Sequence, residues 1–354
     1  MKILVTGFTE AHVGKPTPKP RRETAITLLV RGMRELGHEV VQKEVLPTEG
    51  DVFDGVELLI CGISPPLSVG GHYAFLGLAA LARAIGSGTP CALLADDWHF
   101  AQQVRQWQTC AITPARLLEG KQAGERHSAE WAAGPARSAL QNVIEVLGMQ
   151  NATWPPVIIP RFGWGKAGKK AAGFQLPASR MIHLDPTSMI TTYPVTRVDP
   201  ETRRRAWVLG TMSDQWKWLD ELHLTWPSYY YGPPAASPPD SNKSLPEDEL
   251  VASYGPNWGL LAPRHPAMDG LGFWRSRLVH AAMSRSVVLS DPADLKPLGS
   301  PYSDVLPNLE LVEGATVQQL ANLAEAQADA LRAGCWPRDQ FLSEMERELK
   351  GLVS

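Results

Sequence analysis

Lys2-Ile3-Leu4-Val5-Thr6-Gly7 and Ala206-Trp207-Val208-Leu209-Gly210 are two short apolar runs, one in either half of the chain, and each ends at a glycine. An amphipathic helical pattern follows both, over residues 23–36 and 213–222. A buried strand that runs into a glycine turn and then a helix is how a doubly wound α/β domain begins. Two such starts predict an α/β fold of two Rossmann-like domains that face a central cleft. The cleft is then where chemistry is expected.

Outward from the first start, strand and helix patterns alternate. Strands are predicted at residues 39–41, 56–61, 90–95 and 157–159, with an Ala- and Leu-rich helix at 73–85. Alternation at these lengths implies a parallel sheet with crossover helices. Residues 101–147 read as helical with irregular joins. Residues 160–205 carry Gly-Trp-Gly-Lys, Asp185-Pro186-Thr187-Ser188 and a polar run from Asp199 to Arg205, and read as a connector. Beyond the second start, residues 227–241 are rich in Tyr, Pro and Ser and read as a surface loop. Ser244-Leu245-Pro246-Glu247 has the form of a capping box. A strand at 258–262, a helix at 274–284, a strand at 287–289 and helix from Val317 complete the pattern. The division expected is a first domain at 1–185 and a second at 186–335.

The 354-residue chain suits two domains of ordinary size. Hydrophobic residues at 44% and charged residues at 20% describe an ordinary globular protein. The net charge of −3 removes a global electrostatic pull on nucleic acid, so any such contact needs a local basic patch. Cys61, Cys91, Cys110 and Cys335 have no metal-ligand spacing, and a reducing cytoplasm fits them. Cys61 and Cys91 lie in apolar runs and read as small core residues. Met1 leads straight into a strand pattern, so no signal peptide is expected. No apolar stretch is long enough for a membrane span.

Asp96 and Asp97 close the strand at 90–95, at the carboxyl edge where parallel sheets place ligands. Either reads as a general base or as the cap of a following helix. His99 is a third candidate base. Basic residues gather in three loops: Lys15, Lys19, Arg21 and Arg22; Lys166, Lys169 and Lys170; Arg203, Arg204 and Arg205. These read as exposed, either as solvated surface or as phosphate contacts. Trp98, Trp107, Trp164, Trp258 and Trp274 read as core packing or as platforms for a base or sugar.

Taken in order, these segments resemble the T-even phage DNA β-glucosyltransferases, a GT-B family that glucosylates 5-hydroxymethylcytosine in duplex DNA. The resemblance is carried by the Met-Lys-Ile start, the Glu23-Thr24 pair, the Gly70-Gly71 pair and the aspartate after the strand at 90–95. The strand–glycine–helix restart at 206–222 and Arg277 continue it. It implies an inverting, nucleotide-sugar-dependent glycosyltransferase, with a UDP-sugar the expected donor and a divalent metal left open. Asp96 matches the family's catalytic aspartate, and Glu23 a carboxylate near the sugar. Gly210, Thr211 and Arg277 match the donor-binding positions. The family's ribose-binding glutamate is replaced here by His280, and its arginines after the restart glycine by Met212, Ser213 and Asp214. Gly70 and Gly71 match a loop that approaches the DNA. In the implied fold Lys19, Arg21 and Arg22 border the cleft and reach DNA phosphates. The resemblance also implies a final helix, 336–354, that rejoins the first domain. It further implies action on double-stranded DNA in the bacterial host cytoplasm; no membrane partner is expected, and the oligomeric state is left open with a monomer favoured. A GT-B enzyme with a surface-glycan or small-molecule acceptor, and a non-catalytic nucleotide-binding protein, are the rival readings.

Overall fold

The computed structural model describes residues 1–6, 25–42, 53–62, 80–81, 83–94, 155–160, 180–191, 198–209, 222–230, 254–262, 276–290, 303–305 and 307–354. They form two sheets in which every pairing is parallel. The first holds β1 (Lys2–Thr6), β2 (Glu39–Gln42), β3 (Leu58–Gly62), β4 (Cys91–Leu94), β5 (Val157–Pro160) and β6 (Met181–Leu184), in the order β2-β1-β3-β4-β5-β6. The second holds β7 (Arg204–Leu209), β8 (Ser228–Tyr230), β9 (Asn257–Ala262) and β10 (Val287–Ser290), in the order β10-β9-β7-β8. In each sheet the earliest strand lies between the second and third. The two sequence starts therefore head two sheets built to one plan.

Parallel strands are covered on both faces, so they need apolar residues on both. β3 and β9 are buried throughout, and β1 is buried from Ile3 to Thr6. Helix α1 (Ala25–Glu35) follows β1 and turns Ile26, Leu29, Val30 and Met33 inward, an apolar stripe at helical spacing. It ends at Gly37, whose φ of 82° puts it in the left-handed region. The His38 amide reaches back to the Met33 carbonyl at 3.1 Å, and the Gly37 amide to Arg34 at 3.0 Å. This Schellman turn feeds β2. Helix α3 (Ser276–Met283) ends the same way ahead of β10, with Arg285 in the left-handed position and Ser286 N–H on Ala281 O at 2.9 Å.

Two expectations are corrected. The connector at 160–205 contains β6 and a short helix, α2 (Thr187–Thr191), capped by Asp185, whose Oδ1 accepts the Thr187 amide at 3.0 Å. Exposed and buried residues alternate along β6, so a four-residue edge strand carries too few apolar positions to register in the sequence. The stretch read as a surface loop from 227 contains β8, where Ser-Tyr-Tyr pairs with β7.

One apolar cluster links residues of both sheets, from Ile3 and Ile60 through Met189 and Ile190 to Val208, Leu260 and Val288. Helix α2 sits at the junction, against α1 and α3, and Arg31 of α1 donates to the Met189 carbonyl at 2.8 Å. After α4 (Leu309–Glu313) and α5 (Val317–Gly334), the last helix, α6 (Arg338–Val353), packs on α1 and β6 through Phe341, Met345 and Leu349. Gly32 makes room for it: a Cβ there would stand 2.8 Å from Met345 Cε. His38 and Glu346 pair at 2.7 Å. In the second sheet Gln327 of α5 is fully buried. It accepts from Val288 N–H at 2.8 Å and donates to Val288 O at 2.9 Å, so one amide serves the open edge of β10 as a further strand would.

Trp207 and Trp226 stack at 5.2 Å beneath α4, and Trp207 Nε1 donates to Glu313 at 2.7 Å. Gly259 of β9 leaves the space for Trp207, since a Cβ would lie 2.3 Å from its Cε3. Gly259→Ala must displace a rigid buried ring. It is expected to destabilise the fold by roughly 1–3 kcal/mol or more, read as a lower urea midpoint at unchanged slope. Burial raises the pKa of Glu313, but the bonds from Thr225, Trp207 and the Thr225 and Trp226 amides outweigh it and leave the carboxyl below its ordinary value of 4.5. A depressed folded-state value means this stabilisation is whole above that pH and fades as pH falls through the lowered value. Glu313→Gln is expected to cost about 1 kcal/mol at neutral pH. It should also flatten the acid limb of melting temperature against pH; an unchanged limb would remove Glu313 from that role.

Candidate functional site

Parallel topology decides where a site can form. A crossover helix carries the chain back over the sheet, so all strands of one sheet end at the same edge. In such sheets ligands sit outside the carboxyl ends, where the strand order reverses. Here the reversals lie between β1 and β3 and between β7 and β9. α1 and α3 both start at the carboxyl edge. Their far ends lie at the amino edge, where Glu39 N–H bonds Met1 O at 3.0 Å and Arg285 O accepts from Arg203.

Arg277 falls in the first turn of α3 and therefore at the carboxyl edge of the second sheet; only its backbone is described. His280 follows one turn later on the same helix face. It is 8% exposed and lies within the buried run Leu278–Met283. The structure thus brings these two onto one helix. Asp96 and its neighbours Asp97 and His99 follow β4 in the chain. Gly70 and Gly71 follow β3, and Gly210 and Thr211 follow β7. Lys19, Arg21, Arg22 and Glu23 precede α1. All of these lie outside the described residues.

The third basic cluster is corrected. Arg204 and Arg205 are exposed, but Arg203 is buried at the amino edge, away from the strand ends. Its Nη2 donates to Asn257 O at 2.8 Å, Tyr254 O at 3.1 Å and Ser286 Oγ at 3.0 Å, and its Nη1 to Arg285 O. The guanidinium lies over the Trp258 ring, 4.3 Å from its centroid. Burial pushes its pKa down to about 10, still charged at neutral pH. It clamps the starts of β7, β9 and β10, and Trp258 beneath it is core.

Thr6 was not singled out by sequence reasoning as a site residue. It is the last residue of β1, 1% exposed, and among the described residues its Oγ1 has no hydrogen-bond partner. A buried hydroxyl left unbonded costs about 1–3 kcal/mol. The signal available in the sequence was a single hydroxyl closing an apolar run immediately before a glycine.

Burial raises the thiol pKa of Cys61, and that of Cys91 to about 11, so neither is a thiolate at neutral pH. Cys61 is fully buried, and Cys91 is partly so. Among the described residues no three of His, Cys, Asp and Glu converge as metal ligands, and no helix is long and apolar enough to cross a membrane.

No protein-family model matches this chain, and no curated protein matches it in sequence. In fold it is similar to the solved structure of T4 phage BGT in complex with UDP and Mn2+. The two share 11% identity with a TM-score of 0.55, over 100% of this chain and 100% of that one. A mutant of the same phage protein in complex with UDP-glucose gives 12% identity and a TM-score of 0.55, again over 100% of both chains. At these identities the likeness speaks for the fold. The chain has the GT-B fold, with two Rossmann-like sheets about a central cleft.

Proposed function

We propose that this chain is an inverting glycosyltransferase that moves a sugar from a nucleotide-sugar donor, a UDP-sugar, to a 5-hydroxymethylated pyrimidine in double-stranded phage DNA. The observation that carries the reading is α3. Its first turn, with Arg277, opens at the carboxyl edge of a sheet whose order reverses beside it. An arginine at a helix start is suited to a diphosphate: the guanidinium makes charge-assisted paired bonds, and the free amides of the first turn add theirs. The sequence resemblance and the fold likeness converge on one phage protein, itself solved with UDP-glucose.

In this reading residues 1–185 form the acceptor domain, 186–335 the donor domain, and 336–354 returns to the first. Asp96 takes the proton from the acceptor hydroxyl as its oxygen attacks the anomeric carbon. The bond from that carbon to the diphosphate breaks, and Arg277, with the amides of Gly210 and Thr211, receives the developing charge. Attack from the face opposite the leaving group inverts the centre. Glu23 orients the sugar, His280 contacts the nucleoside, and Gly70, Gly71, Lys19, Arg21 and Arg22 meet the DNA. The work belongs in the cytoplasm of an infected bacterium. A second reading, a GT-B enzyme with a non-DNA acceptor, is favoured by the burial of Arg203, which removes it from the basic clusters available for DNA.

Incubation with hydroxymethylated DNA and a panel of nucleotide sugars, followed by nucleoside mass spectrometry, is expected to show one sugar added to one pyrimidine. Donor-induced thermal shift without any mass gain would move the acceptor away from DNA. In the same assay Asp96→Ala should lower turnover by at least about 100-fold, within the range for loss of a general base, while donor binding persists. Arg277→Ala should weaken donor binding itself. Full turnover in Asp96→Ala would dismiss Asp96 as the base.

A further inference from the structure

We propose that the Thr6 hydroxyl is a substrate contact, bonding an alcohol hydroxyl of the bound ligand at the reversal point between β1 and β3. The inference rests on the glycosyltransferase reading and adds a residue that the family resemblance did not supply. In the ladder from β1 to β3, Thr6 stands opposite Cys61, on the side of β1 where the strand order reverses. Its side chain is buried, and among the described residues its oxygen has no partner. Cys61, the residue opposite, directs its Sγ to the Gly62 carbonyl at 3.6 Å.

Nothing in the strand calls for a hydroxyl here. Leu209 ends the corresponding strand of the second sheet, is 4% exposed, and is apolar. Valine would fill the same volume, keep the β-branched shape and leave no polar atom unbonded. A hydroxyl that burdens the resting fold is accounted for if its partner arrives with the ligand. As the last residue of β1, Thr6 lies at the carboxyl edge, the side on which ligands of such sheets bind. A neutral group that both donates and accepts matches an alcohol, whereas a diphosphate calls for charged donors. The alcohol belongs either to the sugar being transferred or to the acceptor.

The test compares wild type, Thr6→Val and Thr6→Ser by melting temperature without ligand and by KM for UDP-glucose and for hydroxymethylated DNA. Thr6→Val is expected to melt at the same temperature or higher and to raise one KM by about fivefold to tenfold, the loss of one hydrogen bond. The KM that rises identifies whether sugar or acceptor supplies the partner. Thr6→Ser should keep that KM near the wild-type value. Unchanged KM values in Thr6→Val overturn the proposal, with a lower melting temperature then assigning the hydroxyl to a bond inside the fold. A serine variant that behaves as valine does also overturns it, since packing of the methyl would then be the cause. Wild type without turnover on any substrate sinks the glycosyltransferase reading itself; active wild type with an unaffected valine variant sinks Thr6 alone.

Discussion

Parallel pairing is the constraint on which the rest of this structure depends. A parallel neighbour cannot be reached by a tight turn, so each strand is followed by a return across the sheet. The returns cover both faces and demand apolar strands. They also send every strand end to one edge and every start to the other. The two edges then divide the labour. At the starts, Arg203 gathers the carbonyls of Tyr254, Asn257 and Arg285, and Glu313 gathers Thr225, Trp226 and Trp207. The ends are the edge at which sheets of this kind place binding groups, away from that bonding.

The same constraint explains how much could be read from the sequence. β1, β3, β4, β9 and β10 are continuous apolar runs because both their faces are covered, and their positions were legible to within a residue or two. β6 and β8 lie at sheet edges and are short, so their composition resembles a connector. Arg203 sits in a polar run with two exposed arginines, and only the assembled starts of three strands supply its acceptors. Gln327 is one polar residue on an otherwise apolar helix stripe, and its partner Val288 is visible only once β10 is an edge. For the candidate site, sequence gave order along the chain. Apart from Arg277 and His280 on α3, its residues lie outside the described residues.

Among the described residues, two kinds of buried polar group stand apart. Gln327, and Asp185 at the α2 cap, have their bonds met by backbone groups nearby and serve to fix one packing arrangement. Thr6 has no such bond among the described residues, though it shares a strand with residues whose side chains are wholly apolar. At 11% identity to a phage protein, the chain keeps a similar fold. Individual polar residues are where such chains have freedom to diverge.

The return of α6 to α1 sets a timetable for biosynthesis. His38 and its partner Glu346 stand 308 residues apart. At about 5–20 residues per second, roughly 15–60 seconds of translation separate the appearance of α1 from that of the helix covering it. During that interval Gly32 and the apolar groups around it face the ribosome's surroundings without their cover. The nascent first sheet is therefore a natural client for chaperones, and a premature stop before residue 338 would release it with that face still open.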